Sequence, residues 1–183
     1  EDVRSPEDLP SFPRSTMDGF SVRSADTFGA SEGLPAYLEV QGEIPMGTAS
    51  KIDLSPGQAA KAYTGGMLAG EADAVVMVEH TQSVDANTIE VLRPVAPGEN
   101  VVQVGEDILN GDVVLPQGHV VRPQDIGGLL ALGITGISVA RRPRVAIVST
   151  GDELVPPDAA PGPGQIRDIN TYTVSALVTQ AGG

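Results

Sequence analysis

The chain has 183 residues, 24 acidic against 11 basic side chains, a formal charge of −13, no cysteine and only 3% aromatics. That balance excludes disulfides and thiolate metal sites. It argues against nucleic acid, whose backbone needs clustered Lys and Arg, and against an anionic membrane surface. No run of about 18 apolar residues and no charged-then-apolar leader occurs, so no membrane span or secretion is expected and a cytoplasmic location is.

With 22 glycines and 15 prolines, the two make about a fifth of the chain, below the roughly 25–30% at which low-complexity disorder becomes the default. The expectation is folded, turn-rich β structure with aliphatic cores. In chain order, Ser15-Thr16-Met17-Asp18-Gly19-Phe20 comes first and places a carboxylate beside a glycine, the chemistry of a tight turn. From Pro35 to Pro94, short β-branched or alternating stretches recur: Tyr37–Val40, Ile44, Gln58–Tyr63, Ala74–Val78 and Thr88–Leu92. Turns at Ser55-Pro56-Gly57, Asp85-Ala86-Asn87 and Ala96-Pro97-Gly98-Glu99 separate them, and the spacing predicts a β-barrel or sandwich-like domain.

Val113–Leu115 and His119–Val121 flank Pro116-Gln117-Gly118 and predict a hairpin. A helix is predicted from about Pro123 to Leu132, with Pro at its first position, Ile126, Leu129 and Leu130 on one face, and Gly133 as its stop. Its cap reads as weak, since Arg122 offers no acceptor. Arg141-Arg142-Pro143-Arg144 reads as a solvated hinge, and the apolar run Val145–Val148 as a buried strand leading into Ser149-Thr150-Gly151-Asp152-Glu153-Leu154. That puts Glu153 at a strand's carboxyl end, where α/β sheets place ligands. After a proline-rich loop, Asp168 or Asn170 is placed to cap a helix reaching about Gln180, with Val174, Leu177, Val178 and Ala181 on one face. One strand and one helix cannot bury their apolar faces alone, so this region is expected to be poorly ordered, frayed or docked. His80 and His119 read as solvated strand residues rather than a metal pair. The chain begins with Glu and stops at Gly182-Gly183, so it reads as an excerpt of a longer protein.

The two acidic turns, with Tyr63-Thr64-Gly65-Gly66, Gly105-Glu106-Asp107-Ile108 and Gly164-Gln165-Ile166-Arg167-Asp168-Ile169-Asn170, occur in one order. In that order they resemble the molybdopterin molybdenumtransferase family, the MoeA type that includes the gephyrin E domain. The resemblance runs from about Leu9 to Gly183. Its implied fold is mainly β with α/β elements, in three parts. Residues 1–20 and 105–142 would form an elongated linker and dimerisation domain, 21–104 a β domain, and 143–183 the truncated start of a doubly wound, molybdopterin-binding α/β domain.

The resemblance implies catalytic roles for Asp18, Asp107 and Glu153 and substrate contacts for Thr64, Asp168 and Asn170, with Asp18 and Asp107 on the β side of one site and Glu153 on the other. Glu106-Asp107 offers hard oxygen ligands suited to Mg²⁺. The implied reaction inserts molybdate into adenylylated molybdopterin with release of AMP, assisted by Mg²⁺. A homodimer and an upstream enzyme that produces the molybdopterin adenylate are the implied partners, and the 183-residue piece by itself is expected to be inactive. Two departures from the family pattern stand out. Gly66-Met67 replaces Ala-Pro, which is expected to loosen that loop, and Val101-Val102-Gln103-Val104 stands where relatives often carry arginines. The alternative is a non-catalytic, gephyrin-like scaffold that keeps the fold.

Overall fold

A computed structural model describes all of residues 1–183. The elements are, in order, β1 Val3–Arg4, β2 Arg14–Ser15, β3 Gly19–Val22, β4 Ala36–Glu43, β5 Gln58–Ala62, β6 Ala74–Met77, β7 Thr81–Ser83, β8 Thr88–Val91, β9 Val101–Val102, β10 Val113–Leu115, α1 Pro123–Ala131, β11 Leu154–Val155, β12 Ile166–Arg167 and α2 Asn170–Gln180. The fold is mainly β, as expected. The chain divides into two compact units, Glu1–Gly136 and Ile137–Gly183.

In the first unit a six-stranded sheet has the order β6-β3-β5-β4-β8-β7, antiparallel except for the β4–β5 pair. Its two edge strands, β6 and β7, are consecutive in the chain and joined only by a 3-10 turn, Val78–His80. Three residues span little more than 10 Å at most, so the sheet curls until its edges nearly meet at that corner, the route by which a sheet approaches a barrel. The predicted strands fall where alternation and β-branching put them. Ser55-Pro56-Gly57 turns the chain as expected, with Gln58 N–H donating to Ser55 O over 3.2 Å and Gly57 at φ 80°.

Inside the curl, Val22, Leu38, Ala59, Ala74, Val76, Ile89, Val91 and Val95 form one aliphatic core. Ile44, Leu54, Ala60 and Ala69 form a second. Each buried Val or Leu contributes roughly 1.5–3 kcal/mol, and half-buried Phe20 packs against the first cluster. Buried hydroxyls are satisfied: Thr27 donates to Ser24 O at 2.8 Å and accepts from Val95 N–H at 3.0 Å, tying the loop after β3 to the segment after β8.

Four expectations about elements are corrected. No hairpin forms at 113–121, because β10 pairs antiparallel with β1, more than a hundred residues away, and residues 119–121 are not a strand. The cap of α1 is stronger than Arg122 alone allows. Asp125, three residues on, accepts from the Arg122 backbone N–H at 2.8 Å and from its guanidinium at 2.9 and 3.1 Å, and these contacts with His119 hold its carboxyl well below the usual carboxylate range. His119 is accordingly no solvated strand residue but a part-buried partner of Asp125 at 2.6 Å, and His80 belongs to the 3-10 turn.

The fourth correction concerns the second unit, where residues 145–149 form no strand and Val145 and Val148 are 54% and 80% exposed. A strand requires a neighbour to take its backbone bonds, and the one ladder in this unit joins β11 and β12 in parallel. Helix α2 forms as predicted but buries none of its residues, with Leu177 exposed on the face predicted to be apolar. Arg141, Arg142 and Arg144 are exposed.

Candidate active site

Asp18 ends the short loop between β2 and β3. Ser15, 2% exposed, builds that loop: its hydroxyl donates to Met17 O at 2.5 Å and accepts from Met17 N–H at 3.2 Å, a local turn that such side chains favour. The segment Tyr63-Thr64-Gly65-Gly66 lies directly against it. Gly65 N–H donates to Ser15 O at 2.7 Å, and Ser15 N–H donates to Gly66 O at 2.9 Å. Gly65 needs its left-handed φ of 81°. At Gly66 an added Cβ would meet Tyr63 O at 2.9 Å. Met67 adds a bridge to Arg14. Gly65-Gly66-Met67, where the family pattern has a proline, is thus paired along β2.

The consequence is that Asp18 and Thr64, 46 residues apart, meet. The Thr64 backbone N–H donates to Asp18 Oδ1 at 2.8 Å and its hydroxyl donates to the same oxygen at 2.9 Å. These two bonds, the backbone one foremost and with a smaller attraction from Lys61, hold the exposed Asp18 carboxyl below its ordinary value. Oδ2 accepts no hydrogen bond from the protein, and Asp18 is exposed. A cavity of ~350 Å³ begins one residue beyond Thr64, lined by Phe12, Gly47, Thr48, Ala49, Gly65, Gly66 and Met67. Arg14, at the head of the loop, stands 5.8 Å from the Phe12 ring centre.

Asp107 lies on a separate turn after β9. Gly105 adopts φ 70° and donates to Pro10 O at 3.0 Å, Asp107 N–H donates to Leu9 O at 3.0 Å, and the Asp107 side chain is exposed. Its neighbour Glu106 turns back to accept from Gln103 N–H at 2.8 Å, so only one carboxylate of the predicted pair stands free.

In the second unit Glu153 and Asp168 flank the β11–β12 ladder. Glu153 precedes β11 and Asp168 follows β12, so they sit at opposite ends of a parallel pair. Glu153 is therefore at a strand's amino end rather than its carboxyl end, because the strand expected before it is absent. Its carboxylate folds back over Gly151, where an added Cβ would meet it at 2.6 Å.

Asp168 is the capping residue of α2. It accepts from Thr171 N–H at 3.1 Å, Thr171 Oγ1 at 2.6 Å and Ser149 Oγ at 3.2 Å, and the Thr171 bonds lead in lowering its pKa. Asn170 begins the helix and makes no capping bond. Ser149 and Thr171, 2.6 Å apart, were not singled out from the sequence; the i, i+3 spacing of Asp168 and Thr171 is the signal that points to them.

Three or more His, Cys, Asp or Glu side chains gather as a metal-ligand set in neither unit. Mg²⁺ needs only one or two carboxylates when phosphate oxygens and waters complete its shell. The donors present thus fit a cation bound jointly with a phosphate, not an all-protein cage.

The family described as MoeA N-terminal region (domain I and II) matches residues 1–133. The chain is 38% identical over 181 residues to molybdopterin molybdenumtransferase 2 of Mycobacterium tuberculosis (strain H37Rv), covering 99% of this chain and 44% of that protein. It is 41% identical over 180 residues to the molybdopterin molybdenumtransferase of Nostoc sp. PCC 7120, covering 98% and 41%. The crystal structure of the molybdopterin biosynthesis moeA protein of Pyrococcus horikoshii OT3 superposes with a TM-score of 0.90 at 39% identity, over 100% of this chain and 48% of that one. The chain thus spans less than half the length of these relatives.

Proposed function

The chain belongs to the MoeA N-terminal region family, and from that premise we propose that the full-length protein to which it corresponds takes part in molybdenum cofactor biosynthesis. It transfers molybdate onto adenylylated molybdopterin and releases AMP. The observation that carries this reading is the Asp18–Thr64 pair: an exposed carboxylate, held ionised by two hydrogen bonds on one oxygen, with no protein donor on the other.

Cleaving a phosphoanhydride requires a positioned water and neutralisation of the charge that develops on the leaving phosphate. A fixed carboxylate that stays ionised can orient that water and accept its proton through Oδ2. Asp107, exposed on its own rigid turn, is the residue that would hold Mg²⁺ together with substrate phosphate, and the ion would supply charge neutralisation there. Arg14 directly precedes the Asp18 loop and Lys61 attracts the Asp18 carboxylate, so both locally oppose a net charge of −13. Within the second unit, Glu153 is proposed for a catalytic role and Asp168 for a substrate contact, as the family resemblance implies. The working form is a homodimer supplied by the enzyme that adenylylates molybdopterin.

The test is molybdate-dependent AMP release from adenylylated molybdopterin, measured for the full-length protein and for the 183-residue chain. The full-length protein releases AMP and the 183-residue chain does not. No release by the full-length protein overturns the assignment, and turnover by the shorter chain overturns the requirement for the rest of the protein.

A further inference from the structure

Every donor of the Thr64-Gly65-Gly66 turn is already engaged inside the protein. The Thr64 N–H and hydroxyl both go to Asp18 Oδ1 at 2.8 and 2.9 Å. The Gly65 N–H goes to Ser15 O at 2.7 Å and the Gly66 N–H to Tyr63 O at 2.8 Å. A phosphate or molybdate oxygen needs donors, and this turn can offer one only by releasing Asp18 or breaking its own pairing with β2.

We propose that Thr64 is a positioning residue that acts through Asp18, and that the glycine turn is a carboxylate clamp rather than an anion cradle. This rests on the reading of Asp18 as a working carboxylate. Two donors from one residue onto one oxygen fix the plane of the carboxylate and leave Oδ2 as its single free acceptor. Ser15 completes the clamp from the other side: it is buried, its hydroxyl shapes the Asp18 loop and its main chain pairs with Gly65 and Gly66. The anion-binding donors of the site must then come from elsewhere, from arginine and lysine side chains or from parts of the protein outside these residues.

Thr64→Val removes the hydroxyl and keeps the backbone N–H, and Thr64→Ser keeps both. The carboxyl titration of Asp18, followed by carbon-detected NMR in the 183-residue chain, shifts upward in Thr64→Val and stays at the wild-type position in Thr64→Ser. Well-dispersed amide spectra of both variants confirm that they fold. In the full-length protein, Thr64→Val lowers kcat for AMP release roughly tenfold, the size of one lost charge-assisted hydrogen bond, with KM for the adenylylated substrate unchanged and activity recovered in Thr64→Ser. An unmoved Asp18 titration, or a raised KM with unchanged kcat, overturns the clamp in favour of a direct substrate contact. Failure of the wild-type full-length protein to release AMP overturns the functional reading instead, and the titration still decides the clamp.

Discussion

At Gly19 the constraint is a neighbouring carbonyl, not an unusual turn. Gly19 opens β3 with ordinary strand geometry, and an added Cβ would sit 2.0 Å from Val76 O on the adjacent β6. Gly19→Ala must push β3 and β6 apart, at a cost of about 3 kcal/mol, the upper part of the range for overpacking, read as a lowered midpoint in urea unfolding. Asp18, one residue earlier, makes a different prediction. Its folded pKa lies below the ordinary 3.8 because of Thr64, so the stability it contributes is fully present above pH 3.8 and is lost as pH falls through the lower folded value. Asp18→Asn removes that contribution, and its unfolding midpoint depends less steeply on pH in the acid range than that of the wild type. The sequence pattern flagged Asp18, Thr64 and Asp168 individually. Their partners were hidden because Ser15 with Gly65, and Asp18 with Thr64, meet only through the pairing of distant segments.

Among the elements, legibility followed the range of the interactions that build them. Strands β4, β5, β6 and β8 announce themselves through alternation and turn chemistry, and α1 through Pro123 and its apolar stripe, all local signals. The expected hairpin at 113–121 failed because β10 takes a partner from the start of the chain, which no local pattern records. The cap of α1 was missed because its acceptor, Asp125, lies inside the helix rather than before it. Asp125→Ala frays the first turn of α1, seen as lost protection of its amides in hydrogen exchange. The Val145–Val148 run has strand composition but no strand beside it, so its amides exchange at near-unprotected rates in the 183-residue chain. Slow exchange there contradicts this account of why the ladder is missing.

For the whole molecule, composition and charge placed the chain in a broad class, and the order of five acidic or glycine-containing motifs identified the family that residues 1–133 match. The division into Glu1–Gly136 and Ile137–Gly183 sets the Asp18–Thr64 clamp and Asp107 in one unit and Glu153 and Asp168 in the other. The chain spans 41–44% of these relatives, and in it the donors of the Thr64-Gly65-Gly66 turn are spent on Asp18, Ser15 and Tyr63. The most direct measurement is AMP release from adenylylated molybdopterin by the full-length protein carrying Asp18→Asn. This substitution keeps the shape of the side chain and removes its basic oxygen. In a folded protein kcat falls about 100-fold or more, the scale of a lost general base; turnover equal to wild type would contradict that role for Asp18.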